Sequence, residues 1–381
     1  MVRFLLSIFF LVSACIISVA QDDSTKMIHR IGVDMRPAVP SRHHDFLCGA
    51  NPSGKAMRFS SSVHVKYAFS FPLSSQISTI LPSAYQGVGL STYSFFNHAD
   101  IGTPIALYIF QGAEITRLSD KLSLDYEWNF GVSAGWHTNE AVSTKFNAYI
   151  NSALLLSWHT TQNWIVSLGL DLTHFSNGDT TLPNAGINSI GARIGAVRTF
   201  DTTIKTKEHS YIEPSVKHWY LDLIASGALN AEVLTYQNKE YKIDGKFGVL
   251  ALHVNPLYHW KRNLLFGPSI DIQYNEGVNL INHVAGVNPA TDVIKFHRPP
   301  LSEQVAAGVS LRAEFQAPIF AINFGLGHNI LYKGTELGGL YNIVALKAFI
   351  SNAMFAHIGL KVSYTSSSNN LLVGLGWRFG R

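Results

Sequence analysis

Period-two alternation runs through this chain from near its start to its last residues. From Leu371 to Phe379 the sequence LLVGLGWRF sets Leu371, Val373, Leu375, Trp377 and Phe379 against Leu372, Gly374, Gly376 and Arg378. Successive side chains of a strand point to opposite sides, so the first set is one apolar face and the second a small or polar one. The preceding segment repeats the design, with Ala356, Ile358, Leu360, Val362 and Tyr364 opposed to His357, Gly359, Lys361 and Ser363. Earlier, Trp164, Val166, Leu168, Leu170 and Leu172 share a face that runs on into His174 and Ser176, while Ser167, Gly169, Asp171 and Thr173 take the other.

Segments of this kind predict strands near 27–35, 62–71, 87–96, 103–112, 121–136, 145–158, 164–174 and 188–200. A second series falls near 219–229, 246–257, 264–274, 304–315, 319–328, 341–350, 354–364 and 371–379. The total is about sixteen, with fourteen or twelve as lower counts because weak terminal strands are hardest to place. Short links near 160–163, 261–263, 316–318 and 351–352 alternate with long polar ones over 175–187, 230–245, 275–303 and 329–339. Loops of such unequal length mark a transmembrane antiparallel barrel, whose turns are short on the periplasmic side and long outside. The expected fold is therefore all-β, a single transmembrane antiparallel β-barrel over 21–381; two smaller barrels in tandem are the other arrangement the strand list permits. A soluble β-sandwich is the competing all-β class.

Composition agrees with strands as the spanning element. Charged residues are 14% and aromatic residues 12% of the chain, and no apolar run after the start reaches the ~18 residues a spanning helix needs. The net charge of +4 fits an anionic surface such as lipopolysaccharide. Residues 1–20 have a basic start at Arg3, an apolar run from Phe4 to Ile17 and small residues at Ser18 and Ala20, the pattern of a secretory signal peptide. Acylation at Cys15, after Val12-Ser13-Ala14, is the competing reading. Cys48 is then alone in the mature chain, which excludes an internal disulfide. Sixteen histidines invite a metal, but the densest group, His43-His44-Asp45 near Cys48, has no second ligand pair at recognisable spacing, so none is expected. Basic residues do not interleave with aromatics in a nucleic-acid pattern. No motif reports an oligomeric state.

If the last strand runs down to the periplasm, loop parity makes the 164–174 strand run upward, and its His174 end reaches the outer rim. Asn188, Ile190, Ala192, Ile194 and Ala196 then descend with outward parity, so Asn188 can meet His174 and Ser176 across an antiparallel pair. A serine beside a histidine on the lipid-facing rim has the parts of a nucleophile and its base, hence ester hydrolysis at a membrane surface. Asn177, Gly178 and Asn184 are the nearest donors for an oxyanion. The structural alternatives are a plain Asn177-Gly178 turn and an interfacial polar girdle at His174 and Ser176.

The run His174-Phe175-Ser176-Asn177-Gly178, followed by Pro183-Asn184 and Gly186-Ile187-Asn188, resembles the lipid A 3-O-deacylase family of the PagL type. The resemblance covers about 103–200 and is not found in the C-terminal half. It implies an outer-membrane barrel that needs no cofactor and hydrolyses the acyl ester at the 3 position of lipid A in the outer leaflet. It makes His174 the base, Ser176 the nucleophile and position 188 the acid that orients the histidine. Here that position holds Asn188, and an amide can orient the ring but adds no charge. Asp179 is the nearest alternative acid, whereas Asp171 has the parity of the lumen. The implied protein is a serine esterase of lipid A in the bacterial outer membrane. The rival classes are an adhesion barrel and a non-enzymatic porin or uptake channel lined by Arg312, Glu314, Lys347 and Lys361.

Overall fold

The computed structural model describes residues 27–380 apart from 73–77, 79, 201–217, 262, 289–290 and 365–369. The predicted signal peptide and Cys15 lie outside the described residues.

The first half consists of β1 (Ile28–Pro40), β2 (Ser60–Ser70), β3 (Tyr85–Ser94), β4 (Gly102–Ser119), β5 (Leu122–Trp136), β6 (Phe146–His159), β7 (Trp164–Ser176) and β8 (Ile187–Thr199). Each strand pairs antiparallel with the next, and β8 returns to β1 to close a barrel. The second half opens with β9 (Trp219–Asn230), a small hairpin of β10 (Val233–Tyr236) and β11 (Lys239–Lys242), then β12 (Phe247–Lys261) and β13 (Leu264–Asn275). A second hairpin, β14 (Val284–Asn288) with β15 (Val293–Phe296), precedes β16 (Val305–Gln316), β17 (Phe320–Leu331), β18 (Gly339–Phe349), β19 (Met354–Ser363) and β20 (Asn370–Phe379). Leaving the two hairpins aside, these strands form a second barrel, closed by β20 on β9.

The all-β antiparallel barrel class thus holds, and each predicted strand falls on a barrel strand, but the expected single closure is replaced by two rings of eight. The reason lies in the strand edges. β1 gives its second edge to β8 from Arg30↔Thr199 to Pro40↔Ser189, and β20 meets β9 from Val373↔Gly227 to Phe379↔Leu221. A ring whose edges are all paired has nowhere to admit further strands.

Eight strands leave a bore that side chains can fill, and here charged groups fill much of it. In the first barrel Lys66 Nζ lies 2.9 Å from Asp34 and 3.1 Å from Glu127, while Arg193 lies 2.9 and 2.7 Å from the same two carboxylates. In the second, Arg378 reaches Asp222 and Glu314 at 2.6 Å each, and Lys347 joins both. Arg312 sits 2.6 Å from Asp271, and Lys361 lies over the Tyr341 ring. The four residues nominated for a pore lining are therefore buried among partners inside a packed barrel. Outside, the parity is as the sequence implies: Leu168, Leu170 and Leu172 are 57%, 64% and 51% exposed. No described helix is long and apolar enough to cross a membrane.

The barrels touch along their outer walls. Phe69, Phe71 and Ile109 of the first pack with Ala317, Ile319, Phe320, Ala348 and Ala356 of the second. Trp128 meets Phe320 edge-on with ring centres 5.0 Å apart, and its Nε1–H donates to Gln111 Oε1 at 2.7 Å, so the polar end of the indole is satisfied within the seam. The two small hairpins fall in segments the sequence predicts as loops, because strands of four or five residues are too short to separate from irregular chain. The β10–β11 turn has Gln237 and Asn238 at φ 52° and 62°, the paired left-handed residues of a tight hairpin.

Candidate active site at the upper end of β7

Along β7 the outward face is apolar from Trp164 to Leu172 and then turns polar at His174 and Ser176. The ladder sets His174 opposite Asn188 of β8, and Ser176 opposite Ala148 of β6. His174 Nδ1 stands 2.6 Å from Asn188 Oδ1. An amide oxygen only accepts, so the ring donates from Nδ1 and keeps Nε2 as its basic nitrogen.

Phe175, between the two polar residues, points the other way and is fully buried. Its ring lies 4.9 Å from Trp136, 5.0 Å from Tyr93 and 5.4 Å from Tyr149, centre to centre. That aromatic cluster anchors the strand end where strands ordinarily fray, and so fixes the backbone from which His174 and Ser176 project.

Gly186 closes the site from the loop side. It has φ +71°, and a Cβ there would lie 3.1 Å from His174 Cε1 and 3.6 Å from Ser176 Cβ. A single backbone position therefore packs against both, and only glycine combines that contact with a left-handed conformation at little cost.

The loop between β7 and β8 is tied internally. Asn177, almost fully buried, donates from Nδ2 to Thr181 O at 2.8 Å and to Ser143 Oγ at 3.1 Å. Its backbone N–H donates to Asn184 Oδ1 at 3.1 Å, and Asn184 Nδ2 donates to Asp179 Oδ1 at 3.0 Å. Two of the predicted oxyanion donors thus spend polar groups bracing the loop. Gly178, the third, takes φ +63° and packs on Leu371 of the second barrel. Asp179 is held by Asn184, and Asp171 lies in the lumen, accepting from Asn151 at 2.8 Å and facing Arg36 at 3.3 Å.

The β1–β2 connection supplies contacts that the sequence does not announce. The backbone N–H of Ser41 donates to Asn188 O at 2.7 Å, and His43 Nε2 donates to Ala185 O at 3.1 Å. His44 does something different: its Nδ1 accepts from Phe46 N–H and caps the short helix Asp45–Cys48. The adjacent histidines that raise the question of a metal therefore serve a loop tie and a helix cap.

Two family models match the chain. One, described as lipid A 3-O-deacylase (PagL), covers residues 62–196, and the other, described as acyloxyacyl hydrolase, C-terminal domain, covers 219–381. Each falls within one barrel. The family likeness thus begins earlier than the 103–200 stretch that its motifs mark and extends, through a separate domain, over the half where none is apparent in the sequence. No curated protein matches. Among solved structures, the siderophore receptor PirA from Pseudomonas aeruginosa is 8% identical, with 93% of this chain and 81% of that one covered at TM-score 0.22. The outer membrane protein Omp33 of Acinetobacter baumannii is 7% identical, with 92% and 98% covered at TM-score 0.18. At such scores these likenesses carry no weight.

Proposed function

Because the chain belongs to the lipid A 3-O-deacylase family of the PagL type, we propose that it is an outer-membrane serine esterase that removes an ester-linked acyl chain from lipid A in the outer leaflet. The observation that carries this reading is the 2.6 Å contact between His174 and Asn188 on the outward face of β7 and β8, beside Ser176. An acyl chain lying along the apolar belt would bring its ester to that rim without leaving the lipid.

In the reaction Ser176 Oγ attacks the acyl carbonyl while His174 Nε2 takes the hydroxyl proton. The tetrahedral intermediate collapses with loss of the sugar alcohol, which receives that proton. Water, deprotonated in turn by His174, then attacks the acyl-serine and releases the fatty acid. Asn188 holds the ring in the working tautomer but cannot offset the positive charge of the imidazolium, so the amide makes a slower catalyst than a carboxylate would. Since Asn177 and Asn184 brace the loop, the oxyanion role is assigned to the Gly178 N–H. No cofactor takes part in these steps.

The test is mass spectrometry of lipid A from bacteria producing the wild-type chain, Ser176→Ala or His174→Ala. Loss of one hydroxyacyl unit with the wild type alone supports the reading. Identical spectra for all three would end it.

A further inference from the structure

The second barrel carries no counterpart of the His174-x-Ser176 element, yet four of its residues converge on the loop that follows Ser176. The backbone N–H of Ala231, just above β9, donates to Asp179 O at 2.8 Å. Lys242, the last residue of β11, donates to Leu182 O at 2.7 Å. Lys246, just before β12, donates to Thr180 O and, at 3.3 Å, to Thr181 Oγ1. Leu371 of β20 packs against Gly178 so closely that a Cβ on the glycine would lie 2.9 Å from its Cδ2.

From these contacts we infer that the second barrel is a positioning partner of the active site, its 231–246 segment acting with Leu371 as a strap that holds the 177–186 loop in the shape needed for turnover. The first barrel grips the same loop from its other side through Ser143 Oγ on Thr181 O, Ala141 O on Gly186 N–H and His43 on Ala185 O. The loop is thus clamped between the barrels, and its carbonyls at 180 and 182 face ammonium groups from more than fifty residues away. Lys246 and Lys242 are positioning residues, acting through the loop backbone on Ser176, Gly178 and Gly186. Burial, with the Lys242 ammonium nearby, lowers the proton affinity of Lys246. That cost makes sense where two carbonyls have to be held at once.

The effect on turnover rests on the esterase reading, whereas the effect on the loop does not, and the experiment separates them. The full chain is compared with Lys242→Ala/Lys246→Ala, Leu371→Ala, Lys246→Arg and, as a control on the same hairpin, Lys239→Ala, whose lysine pairs instead with Asp292. Amide hydrogen exchange over 177–186 is followed in folded protein in lipid, with folding checked by heat-modifiable mobility. The inference expects faster exchange in the double variant and in Leu371→Ala, and unchanged exchange in Lys239→Ala and Lys246→Arg. It also expects kcat in the double variant to fall about 10- to 100-fold, as a small misplacement of reacting groups does, with KM little altered. Unchanged exchange in the double variant overturns it even if the protein proves to have no esterase activity. A rise in KM at constant kcat also overturns it, because the lysines would then bind substrate and not the loop.

Discussion

Across the β7–β8 pair, His174 and Asn188 are ladder partners whose side chains meet on the outer wall of the barrel, Nδ1 to Oδ1, at 2.6 Å. On the proposed esterase reading these are the base and its orienting residue, with an amide where a carboxylate would do more. With the tautomer already held, what the amide lacks is the negative charge that stabilises the imidazolium. The isosteric change Asn188→Asp should therefore raise kcat, by about tenfold or more, and Asn188→Ala should lower it. Steady-state hydrolysis by the purified protein in lipid measures both; an aspartate that leaves kcat unchanged would separate position 188 from catalysis.

Gly186 offers a second test. Gly186→Ala places a methyl 3.1 Å from His174 Cε1 in a residue at φ +71°, and holding a non-glycine residue in a sparsely populated conformation costs about 1–3 kcal/mol. The expected result is a folded barrel with kcat at least about tenfold lower, because the loop can relax only by moving away from both His174 and Ser176. Activity and melting temperature together distinguish this from general unfolding.

The interior charges of the second barrel should be unforgiving. Lys347 has no exposed surface and lies between Asp222 and Glu314, so Lys347→Met leaves two carboxylates sharing Arg378 alone. Breaking a buried charge set in this way costs about 3–5 kcal/mol. Folding yield into vesicles should fall sharply for Lys347→Met and recover in part when Glu314→Gln is added.

Glu232 gives the strap a pH dependence. Burial, with Glu336 and Asp179 nearby, pushes its carboxyl from an ordinary 4.5 up to about 8. The folded loop then holds this proton more tightly than the unfolded chain, so between about pH 4.5 and 8 its stability falls as pH rises. Amide protection over 231–246, taken relative to the intrinsic exchange rate at each pH, should be lower at pH 8 than at pH 5, and Glu232→Gln should flatten the difference. An equal slope in both proteins would remove Glu232 as its source.

The strands and the outward placement of His174, Ser176 and Asn188 were legible because a two-residue period carries face and position together. Closure was not, since one ring of sixteen strands and two of eight share the same alternation; they differ only in whether β1 pairs with β8 or with a strand of the other half. The bracing of the loop was equally hidden. Asn177 and Asn184 look like donors for a substrate when read alone, and only the positions of Ser143, Thr181 and Asp179 show where those donors go. Lys242, Lys246 and Leu371 lie on the other ring, and nothing in local sequence ties them to residue 180. Phe175 reads as a spacer between two catalytic candidates until its aromatic neighbours are known.

Because the described barrel ladders join strands only within their own ring, the architecture is that of two barrels placed side by side in one chain. What unites its halves is the wall-to-wall seam around Trp128 and Phe320 and the clasp over the β7–β8 loop, neither of which depends on an unbroken peptide chain. A single chain thereby fixes a one-to-one ratio of the barrel that bears His174 and Ser176 to its companion, a stoichiometry that two separate subunits would have to find by collision.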